Sequence, residues 1–168
     1  VFGGGVQMEQ MTLFTPPYRY IIDTSSILSQ KANEPHRRHI YKNLWMKIDE
    51  YIRTGIIVTC SEVAEEIRDE KIRDWLHLQH CNILDIDDEI QRNVRKIVTE
   101  HPKMIEFTSK TGTSSGDAFL IATAMKYNLT IITEENPDKL TKIPQISKCY
   151  GLNSVNITEL CDKENWTF

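Results

Sequence analysis

Short apolar runs rich in β-branched residues recur along this chain, and stretches with helical spacing separate them. Tyr20-Ile21-Ile22, Ile56-Ile57-Val58-Thr59, Asn82-Ile83-Leu84-Asp85-Ile86 and Leu129-Thr130-Ile131-Ile132-Thr133 are four such runs, and Ser154-Val155-Asn156 offers a fifth. Runs this short, apolar on both faces, suit strands covered on two sides. Between them, Ile40, Leu44, Ile48 and Ile52 recur every four residues, which predicts an amphipathic helix over Arg37 to Thr54 with Gly55 as its stop. A helix follows from Cys60 or Ser61, and the charge-rich Glu65 to Lys71 stretch leads into Ile72, Trp75 and Leu76. Asp87 is placed to cap a helix whose stripe is Ile90, Val94, Ile97 and Val98, ended by His101-Pro102. Asp117 to Tyr127 is apolar on most faces, so it is expected to be buried on more than one side. Lys142-Ile143-Pro144 reads as loop, Ile146 to Tyr150 as a short helix and Ile157 to Leu160 as a closing turn.

Strands alternating with helices imply right-handed βαβ units. The expected fold is therefore an α/β chain, a three-layer α/β/α sandwich around a central, mostly parallel sheet. Its length of 168 residues suits one such domain. Residues 1–17 are set aside as a flexible tail or expression remnant, leaving residues 18–168 as the domain. No apolar run approaches the roughly 20 residues that span a membrane. The four cysteines are scattered without a Cys-x-x-Cys pair, which suits reduced thiols in a cytoplasmic protein rather than a metal knuckle.

In open parallel sheets, ligands bind beyond the carboxyl ends of the strands. Acidic residues collect at such positions here. Asp23 ends the first run, Glu134-Glu135 follow the fourth, and Asp117 opens the buried helix. Glu62, Glu65 and Glu66 lie early on the helix after the second run. Clustered carboxylates repel one another unless a cation or a proton separates them.

Each acid also has an ordinary structural reading. Asp23 suits a turn, Asp117 a helix N-terminus and Glu134-Glu135 a solvated loop. Thr59-Cys60-Ser61-Glu62 matches a capping box, which assigns Glu62 to backbone donors. Glu66 borders the stripe marked by Val63 and Ile67 and is preferred over Glu65, which points outward. The hydroxyls of Thr24-Ser25-Ser26 stand ready to orient the Asp23 carboxylate. Hard oxygen donors without His or Cys suit Mg²⁺ or Mn²⁺ rather than zinc.

Other chemistries fail on particular residues. Thr111 to Asp117 lacks the Lys-Ser/Thr ending of a nucleotide-binding phosphate loop, and no Gly-x-Ser-x-Gly elbow occurs. Ile27 and Ser25 break the integrin-type and dehalogenase-type aspartate patterns, and the adjacent acid pair of a receiver domain is missing. The net charge of −4 does not announce nucleic-acid binding, yet one acidic site supplies that whole excess.

At these residues the chain resembles the PIN-domain ribonucleases of the bacterial VapC-type toxins, from Tyr20 to Leu160. Tyr20 to Leu28 is similar to the family's first strand, with its catalytic Asp and a following Ser or Asn. Ile57 to Ile67 resembles the second motif, with Glu66 as the match and Glu65 or Glu62 as alternatives. Gly116-Asp117-Ala118 to Ala124 is similar to the third. Leu129 to Glu135 looks like the fourth, in which a strand is followed by Thr133, one residue and the acid Glu135; many family members carry Asp or Asn there. Lys142-Ile143-Pro144, Cys149 and Val155-Asn156 resemble a bacterial branch with little assigned function.

The resemblance implies a Mg²⁺- or Mn²⁺-dependent endoribonuclease, commonly dimeric, that acts on RNA as the toxin of a toxin–antitoxin pair and is blocked by a protein antitoxin. It implies Asp23, Glu66, Asp117 and Glu135 as metal-binding catalytic residues, supported by Ser25 and Thr133. A catalytically inactive PIN-like interaction module is the alternative. Arg37, Arg38, His36, His39, Lys103 and Lys110 are further positions for phosphate contacts, with a solvated surface as the plainer reading of each. The polar stretch from Thr108 to Gly116 is a position from which RNA entry could be gated.

Overall fold

A computed structural model describes residues 15–104 and 116–168. Five strands form one all-parallel sheet in the order β3-β2-β1-β4-β5. They are β1 (Tyr20–Ile22), β2 (Ile57–Cys60), β3 (Ile83–Leu84), β4 (Thr130–Ile132) and β5 (Ser154–Val155). Helices cover both faces, giving the three-layer α/β/α sandwich that the alternating pattern predicts. β1 is central. Tyr20 pairs with Ile57 on one side and with Thr130 on the other. All three residues of β1 are buried, which explains a run with no polar alternation.

The helices are α1 (Thr24–Leu28), α2 (Lys42–Arg53), α3 (Ser61–Glu66), α4 (Glu70–Leu78), α5 (Asp88–Glu100), α6 (Gly116–Tyr127), α7 (Ile143–Lys148) and α8 (Ile157–Glu164). Asp87 caps α5, its side chain accepting from the Ile90 amide at 2.9 Å. Gly55 takes the left-handed conformation just past α2, and Asn128 does so just past α6. In α6, Leu120, Ile121, Ala122 and Ala124 are all fully buried, as an apolar helix between neighbours requires.

Several elements depart from the sequence expectation. The α2 helix starts at Lys42 rather than Arg37, and Ile40 is 59% exposed outside it. Arg38 instead folds back to grip Asp49 on α2. The acidic stretch after β2 splits in two because Ile67 turns extended and the Asp69 side chain caps α4 by accepting from Ile72. Pro144 lies in the first turn of α7 rather than in a loop, where its missing N–H costs nothing. The closing turn is a two-turn helix, α8, started by a capping box between Asn156 and Glu159. No helix among the described residues is long and apolar enough to cross a membrane.

Candidate active site

The chain builds β1, β2 and β3 outward in one direction, then returns to lay β4 on the other side of β1. The strand order therefore reverses between β1 and β4, and a crevice opens beyond their carboxyl ends. Asp23 lies on one lip, directly after β1. Its amide donates to the Ile132 carbonyl, so the residue following β1 sits beside the end of β4.

Asp23 is 3% exposed and heavily hydrogen-bonded. It caps α1 by accepting from the Thr24 amide at 2.7 Å, as the turn reading expected. Its second oxygen accepts from Ser25 Oγ at 2.7 Å and Thr133 Oγ1 at 2.9 Å. Both supporting residues named from the sequence therefore touch this carboxylate. Burial pushes the Asp23 carboxyl up from its ordinary value, against the hydroxyl and amide donors that favour its charged form.

Glu66 arrives from the end of α3. Its Oε2 accepts from Thr24 Oγ1 at 3.2 Å, which ties it to the residue beside Asp23. Its carboxylate also lies against Gly116 at the start of α6. A Cβ on residue 116 would fall 2.6 Å from the Glu66 carboxyl carbon and 2.8 Å from Oε2. Glycine is what allows α3 and α6 to bring Glu66 and Asp117 together. The Gly-Asp pair at a helix start was the visible signal, but the reason for its glycine was not.

Of the three glutamates on α3, Glu65 is exposed. Glu62 forms no capping box. Cys60 is the N-cap with no side-chain bond, and the Thr59 hydroxyl donates instead to the Ile22 carbonyl at 3.1 Å. Burial in a strand took the cap away. Glu62 is still shifted upward, by burial and then by Glu65 and Glu66.

Asp117 is the electrostatic focus. Burial, then Asp23, Glu135 and Glu66, push its carboxyl up to about 8, and it shares a side-chain hydrogen bond with Glu135. Glu135 is itself raised by burial and Asp23, opposed by the Ile143 amide and Lys142. Asp117 thus feels the charges of the other three acids across the crevice.

The Glu134-Glu135 pair is not a solvated loop pair. Glu135 Oε2 accepts from the Ile143 amide at 2.9 Å and so caps α7, and Glu134 Oε1 accepts from Ile157 at 2.8 Å and caps α8. Each acid therefore holds a helix start, where the dipole favours negative charge.

The phosphate-contact positions are largely occupied otherwise. Arg38 makes two 2.9 Å bonds to Asp49, a third to Gln30, and lies over the Trp45 and Trp75 rings. Arg37 donates to the Glu34 carbonyl. Lys103 is exposed, and His36 and His39 lie in the turns before α2. Lys110, with residues 108–115 of the proposed entry segment, lies outside the described residues.

A bound cation is tested by donor chemistry and by placement. The chemistry fits: carboxylates and the hydroxyls of Thr24, Ser25 and Thr133 gather there. The placement is not preformed, because among the described residues no three His, Cys, Asp or Glu side chains are arranged to hold an ion.

Residues 20–168 match the family model described as "Domain of unknown function (DUF4411)". The chain belongs to the DUF4411 family. No curated protein matches this DUF4411 chain. Similar solved structures include VapBC2 from Rickettsia felis bound to a DNA fragment from its promoter, at 17% identity with a TM-score of 0.49, covering 82% of this chain and 97% of that one. VapBC-1 from nontypeable Haemophilus influenzae is 16% identical with a TM-score of 0.49, over 83% and 98%. FitAcB from Neisseria gonorrhoeae is 15% identical with a TM-score of 0.47, over 83% and 98%. At such identities the activity of this DUF4411 chain is not assigned by likeness.

Proposed function

We propose that this chain is an endoribonuclease dependent on Mg²⁺ or Mn²⁺, in which Asp23, Glu66 and Asp117 bind the cation and Glu135 completes the site. The observation that carries the reading is the convergence of the four acids at the strand-order reversal, where burial and then the charges of Asp23, Glu135 and Glu66 push Asp117 up to about 8. A structural cap needs no such company, and strained carboxylates in a crevice mark sites that perform chemistry. A divalent ion bound there supplies charge neutralisation for a phosphodiester and lowers the pKa of an attacking water. Ser25 and Thr133 fix the Asp23 carboxylate, and Thr24 holds Glu66 near it. Glu135 keeps its orientation through the α7 amide it caps.

The role of toxin in a toxin–antitoxin pair, with a protein antitoxin and a homodimeric state, rests on the motif resemblance. A cytoplasmic location follows from the same reading. Incubating the purified protein with total RNA, with and without Mn²⁺, tests the activity. Cleavage only with Mn²⁺, abolished in Asp23→Asn with the fold intact, is the expected result; undiminished metal-dependent cleavage in that variant overturns the assignment.

A second reading has its own observation. Asp23 holds the start of α1 and Glu135 the start of α7, and acids that serve as caps suit an inactive interaction module. Calorimetric titration with Mn²⁺ separates the two, since the module binds no ion.

A further inference from the structure

A surface pocket of about 330 Å³ opens beside the acidic crevice, between α3, α5 and α6. Its lining is Glu62, Ile86, Gln91, Val94, Arg95 and Phe119. Two of these elements also build the acidic site. Glu62 is one helical turn before Glu66 on α3, and such pairs stand about 5–6 Å apart. The pocket therefore adjoins the acidic site on its Glu66 side.

Its chemistry is mixed in a particular way. Ile86, Val94 and the half-buried Phe119 ring make an apolar wall. Gln91 and Arg95 stand one turn apart on α5, exposed, with no side-chain hydrogen bond or ion pair among the described residues. Every other arginine discussed above is tied down, so Arg95 is a donor group left available. The Glu62 carboxylate supplies acceptors at the same rim.

We propose that this pocket receives one base of the RNA substrate and prefers guanine: Phe119 packs against the base, Arg95 donates to its O6 and N7 acceptors, and Glu62 accepts from its N1–H and N2–H₂ donors. The proposal rests on the endoribonuclease reading. Single-stranded RNA is recognised in this manner, by apolar or aromatic packing on the base face and hydrogen bonds to its edges. A guanidinium paired with guanine acceptors is the commonest specific contact of this type. Uracil offers one N–H donor, and adenine offers no carbonyl acceptor. Gln91 adds an amide that can bond either edge. The pocket volume lies at the small end of ligand sites, which suits one base rather than a larger ligand.

The test uses the full chain and has two arms. In the first, amide resonances are followed while GMP, AMP, CMP or UMP is added without divalent ion. GMP is expected to shift residues 86, 91, 94, 95 and 119 at the lowest concentration, and Arg95→Ala, Gln91→Ala and Phe119→Leu each to weaken it about tenfold. Phe119→Leu keeps apolar volume, and Gln91→Ala touches only an exposed helix face, so folding is preserved. No shift at these residues, or equal response to all four nucleotides, overturns the proposal. In the second arm, RNA cut with Mn²⁺ is mapped. Cuts beside guanine that spread to other bases in Arg95→Ala support the subsite, and an unchanged cut pattern overturns it. Because the first arm needs no cleavage, RNA left intact defeats the endoribonuclease reading while the nucleotide shifts still judge the pocket.

Discussion

Replacing Asp117 with Asn should stabilise the metal-free protein while removing its proposed activity. Asp117 is raised from 3.8 to about 8, first by burial and then by Asp23, Glu135 and Glu66. A carboxyl raised on folding binds its proton in the native state where the unfolded chain has lost it. The stability it supports is complete below about pH 4 and falls as pH rises toward about 8. From 3.8 to pH 7 is about 3 units, and at 1.36 kcal/mol per unit the cost reaches about 4 kcal/mol. The proton belongs to the cluster, and a buried amide carries a desolvation cost of its own, so about half, roughly 2 kcal/mol, is expected as net gain. For a chain of this size that is a Tm rise of roughly 4–8 °C. The assay is thermal unfolding in a chelator from pH 5 to 8. Wild type should lose stability with rising pH, and Asp117→Asn should flatten that slope. Added Mn²⁺ should restore wild type at pH 8 and leave the variant unmoved. A wild-type curve flat from pH 5 to 8, together with an Asn variant no more stable than it, would refute the claim that these carboxylates repel one another.

Gly116→Ala tests how Glu66 is seated. The added Cβ meets the carboxyl group at the far end of a flexible side chain, so Glu66 must retreat by about 1 Å while the helix gains from losing a glycine. The expected outcome is a Tm unchanged or slightly higher, with cleavage reduced about 100-fold; a 1 Å misplacement at a reacting centre costs on that order. Full activity in that variant would remove Glu66 from the site. Arg38→Met tests the opposite kind of residue. It strands the Asp49 carboxylate, leaving it the Trp75 indole donor at 2.8 Å, and should lower stability by about 2 kcal/mol in denaturant titration. RNA binding in 0.1 M salt should be unchanged, and a large loss of RNA affinity would return Arg38 to the substrate path.

Much of the site was legible because it lies on local patterns. An acid that ends a buried strand, as Asp23 does, has nowhere to point but the crevice. An acid that opens an apolar helix, as Asp117 does, is carried to the same edge when that helix packs on the sheet. The fate of the glutamates was less legible. Glu62 fits a capping pattern in sequence, yet Thr59 is buried in β2 and spends its hydroxyl on β1. Glu134 and Glu135 looked like loop residues because the helices they cap begin 23 and 8 residues further on.

By itself, the sequence determined where the strands and most helices lie, since short β-branched apolar runs and apolar spacings of three to four are written residue by residue. It also determined that acids follow β1 and β4 at their carboxyl ends. Only the tertiary structure decided that β4 lies beside β1, which sets Thr133 on the Asp23 carboxylate and opens the crevice between them. Only packing decided that Glu66 rests against Gly116, and that Asp117 and Glu135 meet through a side-chain hydrogen bond. Charge repulsion depends on distances between segments up to about a hundred residues apart, and such distances exist only once the sheet has closed its order.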